Sequence, residues 1–205
     1  MMILQILDYV GTMAFAVSGA LKGVRKELDI FGVVVLAVVT AIGGGTIRDT
    51  LLDLPVFWLA DSTYVLLSVA MAIGVFVLFR LAQKTERSVL LFDALGLGVF
   101  TAIGAMKAGA AGLGIVGMVT MALLTGVGGG VLRDVLAGDV PVVLREEIYA
   151  SASIAGGLVF ALAAHVGLPE AVGVTVAVII TVAIRVVSIY MGWRLPSRPA
   201  RKEDN

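Results

Sequence analysis

The sequence predicts an all-α membrane protein with seven transmembrane helices, arranged as two inverted three-helix repeats plus a seventh helix. Three observations carry that prediction. Hydrophobic residues make up 60% of the 205 and charged residues only 15%, where a soluble domain is about a quarter charged. The mean hydropathy is +1.06, and the apolar residues fall in runs of about twenty, the length that crosses a bilayer as a helix. Finally, the stretch Gly43-Gly44-Gly45-Thr46-Ile47-Arg48-Asp49 returns as Gly128-Gly129-Gly130-Val131-Leu132-Arg133-Asp134.

The offset between the two copies is 85 residues, and it aligns much else. Asp8 falls on Asp93, Gly11 on Gly96, Phe15 on Phe100, Gly19 on Gly104 and Lys22 on Lys107. Thr40 falls on Thr125, Tyr64 on Tyr149 and Ser68 on Ser153. Each copy is far longer than a solenoid unit and almost wholly apolar, so it reads as half of a membrane protein.

In chain order, span one covers Ile3–Leu21 and ends at the polar run Lys22–Asp29. Its N-terminal flank is not basic, so it reads as a retained span and not as a cleavable signal. Span two covers Ile30–Leu52 and holds the first triple glycine. A turn follows at Asp53-Leu54-Pro55, then a short amphipathic piece. Span three covers Ser62–Leu81, and the polar break Gln83–Ser88 separates the halves. Spans four, five and six cover Val89–Met106, Gly112–Leu136 and Glu147–His165. Pro169 suits the first turn of span seven, Glu170–Trp193. Repeat one is thus 3–82, repeat two 88–166 and the extra helix 169–193, all one transmembrane domain. The polar tail 194–205 carries Pro196 and Pro199 and reads as disordered.

Positive charges set the orientation. With the N-terminus outside, the inner segments collect Lys22, Arg25, Lys26, Arg80, Lys84, Arg87, Arg145 and the basic tail residues. The outer segments keep little beyond Lys107 and Arg48. An N-out, C-in integral protein of the cell membrane follows. Each repeat has an odd number of spans, so the second copy starts on the opposite face from the first. The halves are then inverted about a pseudo-two-fold axis in the membrane plane, an architecture common among transport proteins.

Composition excludes several classes. The formal net charge is zero, so there is no basic field for nucleic acid. There is no P-loop for a nucleotide. Cysteine is absent and His165 is the sole histidine, which leaves no thiolate or histidine metal cluster. An enzyme would need convergent acid, base or nucleophile groups, and few are present. No cofactor is expected, and membrane lipid is the surrounding medium.

The paired glycine runs are the first candidate site. Three consecutive glycines weaken a helix by roughly 0.8–1.0 kcal/mol each relative to alanine. Gly43, Gly44, Gly45, Gly128, Gly129 and Gly130 therefore read as a kink or unwound turn lining a pathway, with close helix packing as the alternative. Arg48-Asp49 and Arg133-Asp134 follow about one turn later. Adjacent residues on a helix do not face each other, so each pair should find partners elsewhere, for instance in the other copy. Membrane-interface snorkelling is the competing reading. Lys22 and Lys107 end spans one and four, as snorkelling lysines or at the mouth of a pathway. Asp8 and Asp93 lie just inside span starts, where they attract cations or sit at the positive end of a helix dipole.

Thr12, Ser18, Thr40, Thr46, Thr101, Thr120 and Thr125 put hydroxyls on spans one, two, four and five. Phe15 and Phe100 are mates able to form an apolar constriction, with packing as the alternative. Tyr64, Tyr149, Trp58, Tyr190 and Trp193 fall near span ends and read as interface anchors.

Two three-helix repeats with GGG-x-x-RD in spans two and five, plus a seventh helix, resemble the prokaryotic TRIC family. These are trimeric intracellular cation channels, also classed as a glycine transporter domain family. The resemblance covers Met1–Trp193. It implies a homotrimer with a pore in each protomer, lined by spans one, two, four and five and kinked at the glycine motifs. It implies passage of potassium and, less selectively, sodium. Animal members carry a lysine-containing motif there, linked to phosphoinositide lipid. This chain has glycines and Arg-Asp instead, so that lipid contact is not implied. A passive monovalent cation channel is the resulting expectation. The alternative is a secondary transporter of a small solute such as glycine, which uses the same scaffold.

Overall fold

A computed structural model describes residues 2–79, 86–145 and 147–192. The tail expected over 194–205, Trp193, Arg80 and Lys84 lie outside the described residues. The chain is all-helical: α1 Met2–Arg25, α2 Ile30–Leu51, α3 Phe57–Ala60, α4 Thr63–Phe79, α5 Glu86–Ala110, α6 Ile115–Leu136, α7 Val142–Arg145, α8 Glu147–His165 and α9 Glu170–Met191. Six of these (α1, α2, α5, α6, α8 and α9) are long and apolar enough to cross a membrane. α4 is as apolar but has only 17 residues.

Helix ends follow local chemistry. Asp29 caps α2 by accepting from the backbone N–H of Gly32 at 2.7 Å, as an N-cap carboxylate does. The loop after α5 turns through Gly112 at φ 80°, and the loop after α6 through Gly138 at φ 71°. Both are left-handed positions that glycine occupies without a Cβ penalty. Gly112 therefore belongs to the turn ending α5, and span five begins later than expected, at Ile115. The matching positions of repeat one are Glu27 at φ 57° and Asp53 at φ 52°. Pro169 sits one residue ahead of α9, as its N-cap.

The packing pairs the two halves. α1 packs on α2 and α4 as α5 packs on α6 and α8, while α1 meets α5 and α2 meets α6 across the halves. α1, α2, α5 and α6 form the centre. α9 lies on α5 and α8, seated by Gly98 against Val178 and Val182 and by Gly156 against Thr181. Much of the apolar surface faces outward, including Phe31, Leu66 and Val116, as lipid-facing helices require.

Candidate functional site

The glycine runs bring α2 and α6 together. A Cβ on Gly44 would lie 2.1 Å from the Thr125 carbonyl oxygen, and a Cβ on Gly129 would lie 2.3 Å from that of Thr40. The two contacts are reciprocal under the 85-residue offset. Gly128 completes the crossing, its Cβ position 3.1 Å from the Gly44 Cα. The unwound turn expected at these glycines is not what they make: α2 and α6 are unbroken helices through them. What the missing side chains provide is backbone-to-backbone approach. Gly43 leaves room for Leu132, Gly45 for the Phe57 ring, and Gly130 for the Tyr149 hydroxyl.

Beside this crossing, α1 and α5 meet through Phe15 and Phe100. The rings stack at 5.3 Å with 22° between planes, and both are 1% exposed. Gly96 makes space for the Phe15 ring, and Gly11 for the Val99 side chain, with the Phe100 ring 3.4 Å from its Cβ position. Thr12, Thr40, Thr46 and Thr125 donate to carbonyls four residues back on their own helices, which removes their hydrogens from other use.

A charged cluster flanks the crossing on each side. In the first, the Asp49 carboxylate accepts from Arg48 Nε at 2.7 Å, from Lys107 Nζ at 3.1 Å and from the backbone N–H of Phe57 at 3.0 Å. In the second, Asp134 accepts from Arg133 Nε at 2.9 Å and from the N–H of Val142 at 3.0 Å, with Lys22 Nζ at 3.9 Å. Each aspartate thus anchors the start of a short helix, α3 or α7. Each lysine crosses from the other half of the chain. Arg48 and Asp49 are 0% exposed, and Arg133 and Asp134 1%. The interface-snorkelling reading fails for both arginines. So does the expectation that neighbours cannot pair, because the long arginine side chain folds back until Nε reaches the adjacent carboxylate.

Asp8 and Asp93 join these clusters. Asp93 is buried and ion-paired to Arg133 Nη1, which also donates to Ser18 at 2.7 Å. Asp8 accepts from the Tyr64 hydroxyl at 3.1 Å. Tyr64 is 7% and Tyr149 1% exposed. They belong to the clusters and are not the interface anchors their span-end positions implied. Trp58 also turns inward, donating from Nε1 to Thr46 at 2.9 Å. A cavity of about 530 Å³ opens beside the first cluster, lined by Asp8, Asp61, Tyr64, Lys107, Ile103 and Met106 among others. Asp8 and Lys107 share it although one lies near the start of α1 and the other near the end of α5. The second cluster joins Lys22 at the end of α1 with Asp93 near the start of α5 through Arg133 and Asp134. Asp8 and Ser18 are ten residues apart on α1, so the clusters are separated by roughly 15 Å along it.

Three contributors were not singled out in the sequence. Asp139 binds Lys22 and Lys26, each at 2.6 Å. Hydrogen bonds from Lys22 and Lys26 pull its carboxyl down to about 2. Those two lysines are therefore engaged within the chain. The Phe57 ring lies under the Arg48 guanidinium at 5.5 Å. Arg185 of α9 is 1% exposed and stacks over Tyr149 at 4.8 Å. A charge inside span seven was a visible signal, but it lies outside the repeat and has no mate to draw attention to it. Among the described residues no group of His, Cys, Asp and Glu is placed to hold a metal ion.

Comparison with known proteins fits this geometry. The family model described as "Glycine transporter" matches twice, over residues 5–80 and 90–165. The inner membrane protein YadS of Escherichia coli (strain K12) is 43% identical over 199 residues, covering 96% of each chain. A TRIC trimeric intracellular cation channel orthologue from Rhodobacter sphaeroides has a similar structure, with a TM-score of 0.90 at 37% identity, over 94% of this chain and all of the other. A prokaryotic TRIC channel solved in 0.5 M KCl gives a TM-score of 0.89 at 38% identity, over 95% and 99%.

Proposed function

Since this chain belongs to the glycine transporter family, with the all-helical membrane fold of TRIC cation channels, we propose that it is a monovalent cation channel. It sits in the inner membrane of a prokaryotic cell, N-terminus outside. The seven apolar helices α1, α2, α4, α5, α6, α8 and α9 span the bilayer, and α1–α4 and α5–α8 are inverted copies. Three copies assemble, each with its own pathway between α1, α2, α5 and α6. Potassium passes, and sodium less selectively.

The observation that carries this reading is the pair of reciprocal charged clusters at the two ends of one helical interior. Ionisable groups within a bilayer are expensive and face a polar route or one another. Here Asp8 and Asp49 with Lys107 stand at one mouth. Asp93, Asp134, Lys22 and Arg133 stand at the other. Between them lie the Phe15–Phe100 stack and the glycine crossing, both buried, so conduction requires these helices to part. Glycine contacts without side chains let α2 and α6 slide or rock with little steric penalty.

A channel is favoured over a carrier of a small solute because the solved structures similar to this fold include TRIC cation channels. Proteoliposomes loaded with potassium discriminate the two. A channel gives fast, voltage-driven potassium efflux and no exchange of labelled glycine. Glycine counterflow with slow, saturable potassium movement would replace the channel with a transporter.

A further inference from the structure

A second cavity lies at the end of the bundle where α5 and α8 finish and α6 and α9 begin. It measures about 340 Å³ and is lined by Met106, Gly109, Met118, Phe160, Ala164 and Glu170 among others. That is the size of a pocket for one compact small molecule. The wall is apolar: Phe160 is 5% exposed and packs in the core with Ala102, Ala105 and Val174. Among the described residues Glu170 is the one charged group that lines the cavity. Its carboxylate has no hydrogen-bond or ion-pair partner among those residues.

The cavity is not a product of the repeat. The 85-residue offset puts Val24 at the position of Gly109 and Arg25 at that of Ala110. Val24 packs on the core cluster around Phe15. Gly109 has no side chain to do the same, and only the flexible end of Met118 comes near, its Sδ 3.3 Å from the Gly109 Cβ position. Leu168, Pro169, Glu170 and Gly173 complete the wall. They belong to α9 and the turn before it, outside both matched segments 5–80 and 90–165. Two unbranched methionine side chains let such a wall adapt to an occupant. Met106 also lines the 530 Å³ cavity beside Asp8 and Lys107, so the two cavities share it.

The lining selects a ligand by two separate terms. Apolar walls favour a hydrophobic body, which gains by leaving water. The lone carboxylate then sorts ligands by charge. It repels an anion, adds nothing to a neutral molecule and attracts an ammonium. An acyl chain matches the apolar wall but leaves Glu170 without a counterpart. We propose that this cavity is a binding site for a free, compact organic cation: an apolar ring or cage that carries one protonated amine. The ammonium sits at Glu170, and the body lies against Phe160, Met106 and Met118.

The chain has eight methionines, so a spectrum of carbon-13 methionine methyl groups is sparse. Met106→Leu and Met118→Leu assign the two signals that report the cavity. The full-length protein in lipid nanodiscs is titrated with adamantylamine, and with adamantanol and adamantane carboxylate as its neutral and anionic counterparts. The amine should shift both signals in one saturable step and bind tightest of the three. Glu170→Gln should weaken the amine by roughly two- to fivefold, the worth of an exposed ion pair, and leave the alcohol unchanged. Ala164→Phe adds a ring from an exposed position of α8. It should weaken amine and alcohol alike by roughly tenfold or more, because the apolar body loses its place. Binding and not current is read, so the outcome is independent of what the protein conducts. Met106 and Met118 signals that no compound moves, as when a lipid chain holds the cavity, would overturn the proposal. So would equal affinity for all three compounds, an unchanged amine affinity in Glu170→Gln, or parent-like binding in Ala164→Phe. If Ala164→Phe fails to fold, Gly109→Val takes its place with the same expected loss, and parent-like binding there overturns the proposal equally.

Discussion

The crossing of α2 and α6 at the glycines yields the sharpest quantitative expectation. Gly44→Ala adds one methyl group, whose carbon would start 2.1 Å from the Thr125 carbonyl oxygen. Carbon and oxygen rest roughly 3.4 Å apart, so the helices must separate by about 1 Å at this level. The obstacle is backbone, and no rotamer change relieves it. Overpacking of this kind costs about 1–3 kcal/mol, against which alanine's better helix propensity returns under 1 kcal/mol. About 0–2 kcal/mol remains, and for a chain of this size each kcal/mol moves the midpoint by roughly 2–4 °C, so a fall of up to about 8 °C is expected. Gly129→Ala meets Thr40 at 2.3 Å and should fall by a similar amount, since the contact is the reciprocal one. Gly74, with nothing within 4 Å of its Cβ position, supplies the control: Gly74→Ala should hold or rise. Thermal unfolding of the purified protein, followed by size-exclusion of what remains assembled, measures all three. Gly44→Ala and Gly129→Ala proteins as stable as Gly74→Ala would refute the close crossing as the purpose of these glycines.

Further outcomes follow from the clusters. Arg133→Met strands Asp93 in the interior and should destabilise by about 3–5 kcal/mol, whereas Arg133→Met with Asp93→Leu should recover most of that; chemical denaturation of the single and double variants tests the pairing. Phe15→Ala removes half of the buried ring stack, with an expected loss of about 3–5 kcal/mol and a larger unitary current. An unchanged current would place the constriction elsewhere. Asp139 titrates at about 2 because Lys22 and Lys26 hydrogen-bond it, below an unfolded value of about 3.9. A lowered folded value means its stabilisation is full above about pH 5 and fades as pH falls towards 2. The midpoint difference between parent and Asp139→Asn should therefore be flat from pH 7 to 5 and vanish near pH 2.

Much of this organisation was legible because the chain carries the same instructions twice. The ends of α2 and α9 fall within two residues of the expected spans, set by Asp29, Asp53 and Pro169 at their borders. Other features were hidden for identifiable reasons. α7 has four residues, too few for a periodic signal, although the offset maps α3 onto it. The Arg-Asp neighbours pair because a long side chain at a helix end reaches where Cβ directions alone say it cannot. Tyr64 and Tyr149 sit near span ends, yet the short helices and Asp8 or Asp93 enclose them. The glycine runs read in the sequence as a kink or unwound turn with close packing as the alternative; α2 and α6 run through them as continuous helices, in backbone contact at Gly44 and Gly129. Nothing in the spacing distinguishes those two uses, since both follow from the same missing side chain.

Single-channel recording of the purified protein in planar bilayers, under a potassium chloride gradient, decides whether the protein is a cation channel. A cation channel gives discrete unitary currents that grow with voltage and reverse near the potassium equilibrium potential, shifting only modestly when sodium replaces potassium on one side. Silent bilayers containing correctly assembled protein, or currents that reverse at the chloride potential, would contradict it.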